Sequence, residues 1–286
     1  MRYFNLLILL FTLSLHIALA QENIQSPYLG QTPPGQVAKA FAPGLVSTEF
    51  YEYSGVFTPD MKAFYFLRNG GKYEAQTFVV SEYKGGRWVE SVVSPRVGQP
   101  IFSPDGKTMH LGKRYKERTA TGWSDVKSLE EPFKDIAIMR LSASANGTYY
   151  FDTFDRENLS FPLRYSRVVA GKHEEPQVLS KAINTGTYLS HPFIAPDESY
   201  LLWDAKRDDG FGDSDIYISF RQPDGTWGDG INLGENINTE AWEAAATVTP
   251  DGKYIFFNRN IGSDKYENVD IYWVDAQVIE TLRNRY

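Results

Sequence analysis

The sequence predicts an all-β protein, a five-bladed β-propeller of four-stranded antiparallel blades. Three observations predict it. A short turn of the Pro-Asp-Gly type recurs along the chain, a run rich in aromatic and β-branched residues follows each turn, and two stretches, 47–66 and 238–257, align without a gap and share eight identities. Units of roughly 40 to 50 residues that hold several short strands are typical of propeller blades.

The recurring turn fixes the period of the units. Its anchor positions are separated by 45, 41, 51 and 54 residues, and they are Pro59, Pro104, Ala145, Pro196 and Pro250. The text after each anchor, such as "AFYFLR" or "YIFFNR", favours a strand, and Pro with Asp or Gly before it favours a tight turn. Later signals in most units, "DIY", a turn leading to an aromatic residue, and "INT", complete four strands A to D, with the anchor turn between A and B.

The two ends of the chain complement each other. Thr48, Thr185 and Thr239 each lie eleven residues before an anchor, so we expect residues 42–48 to end a strand D that has no blade before it. The last unit runs out after its third strand, and the chain continues into a short C-terminal helix or tail at 277–286. We therefore expect the N-terminal strand to complete the last blade of a propeller over 42–276, which removes exposed sheet edges.

The first residues predict export. Arg2 precedes a long apolar run, and Ala18 and Ala20 form the small-residue end of a signal peptide over 1–20, with cleavage after Ala20. Residues 21–41 read as an extended segment. No other stretch approaches the roughly 18 apolar residues of a spanning helix, so no membrane insertion is expected. We predict a periplasmic or extracellular protein.

Composition narrows the partners. There is no cysteine, so disulfides and thiolate metal sites are excluded. A net charge of −7 without a basic block argues against nucleic acid. The acidic run at 207–215 lacks the spacing of a calcium loop, and Asp215 is expected to bond turn backbone instead. We predict no metal and no cofactor.

The motifs "SPDGK" and "DIY", and above all "DSDIYISFRQPDGTWGDGINLGENINT" at 213–239, resemble the TolB-type, WD-repeat-like β-propellers of the bacterial cell envelope. The second unit departs from this pattern because it has no "DIY", and the third has Ala145 in place of proline. The resemblance implies the fold and the compartment. Members of the family differ in what they bind.

Propeller geometry selects the candidate site. Strand A starts on the face where strand B ends, so the D–A and B–C loops surround one mouth of the central channel. Five residues before the anchors stand Ser54, Gln99, Arg140, His191 and Ala245. The predicted ligand-binding residues at this mouth are Arg140, His191, Glu52, Glu243, Asp204, Arg207, Arg68 and Arg259. Arginine and histidine suit an anionic or hydroxyl-rich group, although such residues can also simply hydrate a channel.

We expect a binding module that recognises a small molecule, an oligosaccharide or an envelope protein without covalent chemistry, and we assign no catalytic residue. Two alternatives stay open. A propeller enzyme in the same funnel could use Glu52 and Glu243 as a glycoside hydrolase pair, or His191 as a lyase base with Arg140 neutralising a substrate carboxylate. A scaffold in an envelope assembly would use the blade faces instead.

Overall fold

The computed structural model describes residues 27–154 and 162–285. The predicted signal peptide over 1–20 lies outside the described residues. Within the two described ranges, no helix is long and apolar enough to cross a bilayer.

The elements follow one another as short strands. The described part of the chain begins with a 3-10 helix, Tyr28–Gly30, and strand β1, Lys39–Ala40. The first set is β2 (Tyr51–Phe57), β3 (Ala63–Gly70), β4 (Tyr73–Lys84) and β5 (Arg87–Pro95). The second is β6 (Pro100–Phe102), β7 (Thr108–Leu111), β8 (Arg114–Thr119), β9 (Gly122–Trp123) and β10 (Lys127–Ser128).

The third set is β11 (Leu141–Ala143), β12 (Tyr149–Phe151), β13 (Arg164–Ser166), β14 (Val168–Val169), β15 (Lys172–His173) and β16 (Gln177–Val178). The fourth is β17 (Thr187–Ile194), β18 (Tyr200–Lys206), β19 (Asp215–Phe220) and β20 (Ile231–Asn232). The fifth is β21 (Glu243–Val248), β22 (Tyr254–Asn260) and β23 (Val269–Asp275), after which helix α1 spans Gln277–Arg283.

The pairing confirms an all-β fold made of antiparallel sets. The orders are β2-β3-β4-β5, β6-β7-β8-β10, β11-β12-β13-β16, β17-β18-β19-β20 and β21-β22-β23-β1. A parallel bridge between Tyr51 and Val269 joins the fifth set to the first in one eight-stranded sheet, so the division into five separate blades stays a prediction. The first strands β2, β6, β11, β17 and β21 contact one another in that order, and β2 also contacts β22 and β23. They therefore surround a common axis.

The N-terminal strand pairs with the last set, as predicted, but at a different place. Lys39 and Ala40 pair with Trp273 and Tyr272 of β23, whereas the predicted strand at 42–48 is a turn in which Leu45 and Val46 donate their N–H groups to the Ala42 carbonyl. The same turn separates β20 from Thr239 in the fourth set, where Ile237 and Asn238 donate to the Gly234 carbonyl. The alignment of Thr48 with Thr239 is correct. Residues 42–48, which were predicted to end the strand, form the turn that follows it.

Phe41 fixes this N-terminal segment in the core. Its ring is fully buried, with centroids 6.2 and 5.1 Å from those of Phe57 and Phe64 and 4.7 and 5.2 Å from those of Phe256 and Trp273. The first pair belongs to the first set and the second pair to the fifth. Burying a phenylalanine side chain stabilises a fold by roughly 1.5–3 kcal/mol, so this ring contributes to holding the two ends of the chain together.

Candidate functional site

Arg140 lies on the axis, at the start of the third set, and is 1% exposed. Its guanidinium donates to Ser54 Oγ and Gln99 Oε1, each at 3.2 Å, and to the Ala245 carbonyl at 3.3 Å. All three acceptors are neutral, and within the described residues no acceptor lies within bonding distance of its buried Nε. Burial lowers the pKa of Arg140, and the charges of nearby Asp204 and Asp152 oppose that effect.

His191 links two other strands beside this arginine. Its Nδ1 lies 2.9 and 3.0 Å from the two carboxylate oxygens of Asp204, and its Nε2 lies 3.1 Å from the Tyr53 hydroxyl. Because an ionised carboxylate only accepts, Nδ1 carries the proton, and in the neutral imidazole Nε2 accepts from Tyr53. Burial raises the pKa of Tyr53 well above its usual range, so the hydroxyl keeps its proton. The three side chains form a hydrogen-bonded chain, and Tyr53 is 4% exposed.

A repeated backbone feature explains why acidic side chains are buried here. Ser54, His191 and Ala245 have positive φ angles of 57°, 53° and 58°, each within a break in the register of its first strand. The N–H groups of these residues point away from the paired strand and donate to side chains of the preceding set in the ring.

The acceptors close these contacts at 2.9–3.1 Å. Asn258 accepts from Ser54, Asp152 from His191 and Asp204 from Ala245. A buried N–H without an acceptor costs about 1–3 kcal/mol, so Asp204 has a structural role besides its contact with His191. Burial raises the pKa of Asp152, and the bonds from His191 and Arg140 oppose the rise.

Glu52 and Glu243 each accept hydrogen bonds from a threonine and an arginine, and we call each of these two similar clusters a clamp. Glu52 accepts from the Thr48 N–H and hydroxyl at 2.9 and 2.7 Å, and Glu243 from the corresponding groups of Thr239 at 3.0 and 2.6 Å. Arg68 and Arg259 complete the clamps, with Nε 3.2 and 2.7 Å from a carboxylate oxygen of Glu52 and Glu243 respectively. The threonines and glutamates shared by the aligned stretches 47–66 and 238–257 thus make the same bonds.

Arg207 and the acidic run have local partners. The Arg207 guanidinium lies 4.2 Å from the centre of the Tyr217 ring and donates to the carbonyls of Thr185 and Gly230. Asp215 accepts from the N–H groups of Phe211 and Gly212, which is the backbone role expected of it.

The structure therefore divides the predicted site residues into three groups. Arg140, His191 and Asp204 meet on the axis. Glu52 with Arg68 and Glu243 with Arg259 form the two clamps, and Arg207 lies on the Tyr217 ring. The side chains of Arg140, His191 and Asp204 are nearly buried, so a ligand on this face would contact the side chains that cover them. That the predicted site residues bind a ligand stays a prediction.

Three aromatic residues at the starts of β2, β17 and β21 were not among the predicted site residues, and we call them the aromatic rim. Eight residues before the anchors stand Tyr51, Tyr188 and Trp242, and Arg96 takes the same position in the second unit. Tyr188 is 62% exposed, and Tyr51 and Trp242 are half-buried. The rings of Tyr51 and Trp242 stack on the ring of Tyr53, with centroids 5.8 and 6.0 Å away. The anchor alignment that selected Arg140 and His191 shows this rim three residues earlier.

Comparison with known proteins gives similarity in structure only. No family model and no curated protein sequence matches the chain. TolB from Acinetobacter baumannii is 13% identical with a TM-score of 0.47, over 80% of this chain and 58% of that one, so this chain spans less than two thirds of it.

Two other solved structures are similarly distant. The gluconolactonase XC5397 from Xanthomonas campestris is 9% identical with a TM-score of 0.49, over 80% and 86% of the two chains. An endo-arabinase from Bacteroides thetaiotaomicron is 13% identical with a TM-score of 0.47, over 77% and 92%. At this level of similarity no activity is transferred to this chain.

Proposed function

We propose that the protein is an exported propeller of the TolB-like kind that binds an oligosaccharide without covalent chemistry at the mouth formed by Tyr51, Arg96, Tyr188 and Trp242. The observation that carries the proposal is the aromatic residue at the same position in three units. Sugar rings have apolar C–H faces that stack on tyrosine and tryptophan, whereas their hydroxyl groups need polar partners at the edge of those rings.

The mouth suits this ligand in two further respects. Stacking on the buried Tyr53 holds Tyr51 and Trp242 in place, so their side chains lose little conformational entropy on binding. Arg96 is exposed and bonded to the Gln76 side chain, which places a cation and an amide beside Tyr51. A ligand that spans the ring of first strands can therefore stack on one unit and bond to the next.

The test is binding to a panel of neutral and acidic oligosaccharides, with the variants Tyr188→Ala and Trp242→Ala. Loss of a central aromatic contact should weaken binding by about tenfold or more. Tyr83→Ala, a half-buried ring near the opposite face, is the matched control and should bind like the wild type. No binding to any sugar of the panel, or equal binding by all variants, would contradict the proposal.

The chain of Tyr53, His191 and Asp204 favours one alternative, an enzyme acting on the bound saccharide. In that case His191 would polarise the Tyr53 hydroxyl for proton transfer. Tyr53→Phe keeps the stacked ring and removes the hydroxyl, so an enzyme would lose turnover while sugar affinity stays the same. An intact saccharide after long incubation with the wild type would rule out this alternative.

Export is a separate part of the proposal and rests on residues 1–20. The mass of the protein recovered from the medium or periplasm of an expressing bacterium should correspond to a chain that begins at Gln21. A full-length mass in the cytoplasm would contradict it.

A further inference from the structure

The end of the axis opposite the mouth holds a cavity. Each first strand runs from the mouth to its anchor turn, and at roughly 3.3 Å per residue Val56 lies about 15 Å along β2 from Tyr51. There the strands enclose a cavity of about 180 Å³. The residues two positions before the five anchors all line it, and they are Phe57, Phe102, Ala143, Ile194 and Val248.

The wall of this cavity is apolar. Val56, Ile101 and Phe193 add further hydrocarbon, and the anchor prolines form its rim. Three of the hydroxyl groups that line it, those of Ser142, Ser103 and Thr249, are already engaged. Ser142 donates to the Pro192 carbonyl and accepts from the Ile194 N–H, while Ser103 and Thr249 bond to the aspartates of their own turns. A ligand here gains from apolar contact and finds few partners for polar groups.

Carboxylates surround the opening. Asp60, Asp105, Asp197 and Asp251 follow the anchor prolines, and their oxygens accept N–H groups within the turns. The bonds from Ser103 and Lys107 hold the pKa of Asp105 below its usual value, so its charge persists at neutral pH. Lys62, Lys107 and Lys253 take the same position in three of these turns, where Lys107 and Lys253 pair with Asp105 and Asp251, and the fourth turn has no lysine there. An anionic ligand would have to approach through these turns.

We propose that this cavity binds a small neutral aromatic molecule of about the size of toluene or indole. An apolar cavity of roughly 150 Å³ lined by aliphatic and aromatic side chains stays dry and takes up benzene, and the present cavity is slightly larger. The site is independent of the mouth because it uses the other end of every first strand.

Titration with indole and toluene, followed by protein NMR, tests the proposal. Saturable shifts should appear at residues of the cavity, and benzoate, which has the same ring with a charge, should cause none. Val248→Phe places a ring in the cavity from a half-buried position and should weaken indole binding by about tenfold or more. Val92→Phe, on an exposed position of β5, is the matched control.

A second variant covers the case in which Val248→Phe disturbs the fold. Phe193→Ala enlarges the cavity from a half-buried position and should shift the preference from indole towards naphthalene. Tyr188→Ala at the mouth should leave indole binding unchanged, so failure of this proposal can be told from failure of the saccharide proposal. The inference is overturned if the wild type shows no saturable binding, if benzoate binds as well as toluene, or if Val248→Phe binds indole like the wild type.

Discussion

Two junctions in the molecule are built from the same sequence pattern and differ in some of their side-chain partners. Where the fourth set meets the fifth, Thr239, Glu243 and Arg259 form one clamp. Where the fifth meets the first, Thr48, Glu52 and Arg68 form the other. Beside the first clamp, Asp215 receives a hydrogen bond of 2.7 Å from Asn232 of β20. Beside the second, the corresponding carboxyl is Asp270, and the strand next to it is β1, which has Ala40 in the register of Asn232.

At the second junction, β1 offers no side-chain amide at this position. Within the described residues Asp270 Oδ1 is buried without a partner. Burial, and then the charge and hydrogen bond of Glu52, raise the pKa of Asp270 to about 7. A closing strand taken from the far end of the chain therefore restores the backbone pairing of the repeat but not every side-chain bond.

The largest expected effect compares the two clamp glutamates. Glu243→Ala leaves the Thr239 N–H and Arg259 without their buried acceptor and should cost about 3–5 kcal/mol in the free energy of unfolding. Glu52→Ala should cost roughly 1–2 kcal/mol less, because Arg68 keeps Glu90 at 2.7 Å and Asp270 loses a neighbouring like charge. Urea unfolding at pH 7.5 measures both. Equal losses would show that the two junctions are energetically the same.

The next effect is a pH dependence confined to the second junction. Between about pH 4 and 7 the folded protein keeps a proton on Asp270 that the unfolded chain has released, so this group makes stability fall as pH rises through that window. The contribution is up to about 4 kcal/mol. Asp270→Asn has no proton to release in this range, so it should flatten this part of the stability profile. Above pH 7 its free energy of unfolding should exceed that of the wild type, with Glu52 and Arg68 unchanged.

Unfolding free energies at pH 5, 6, 7 and 8 provide the measurement. Asp215→Asn is the control, because it replaces one of the two oxygens that accept backbone N–H groups with an NH2 group that only donates, and it should lower stability over the whole range. If Asp270→Asn and the wild type show parallel profiles, the assignment of the shifted proton to Asp270 is wrong.

The smallest effect comes from giving the second junction its missing donor. Ala40→Asn reproduces Asn232 and should donate to Asp270, which lowers the pKa of that carboxyl and stabilises the protein at pH 8 by about 0.5–1.5 kcal/mol. Carboxyl-detected NMR titration together with urea unfolding at pH 8 checks both results. An unchanged Asp270 titration would mean that residue 40 does not face this carboxyl.

Much of the fold could be read from local pattern. The anchor turns are where the sequence put them, since Thr58 and Thr249 bond to Asp60 and Asp251 as such turns require. The N-terminal segment does pair with the last unit, but the strand predicted at 42–48 lies at Lys39–Ala40. Pairing depends on how many residues the following turn consumes, and the sequence pattern gave no count of them.

The candidate site was predictable by position and not by environment. Arg140 and His191 do lie near the axis, as a fixed distance from the anchor implies. Their burial could not be predicted, because it depends on the positive φ of Ser54 and Ala245 and on side chains that approach from other sets. The same alignment of the units also identifies the aromatic rim of Tyr51, Tyr188 and Trp242, which lie eight residues before their anchors.

Local turn chemistry and the fixed distance of each residue from its anchor turn were enough to predict the strand-forming units, their order and the residues near the axis. Which polar groups have partners depends on contacts between distant parts of the chain. Asp215 and Asp270 occupy the same position in two units, and their hydrogen-bond partners differ because long-range pairing sets an asparagine beside one and an alanine beside the other. Burial then makes that difference count, since a carboxyl shielded from water depends on its neighbours for its charge.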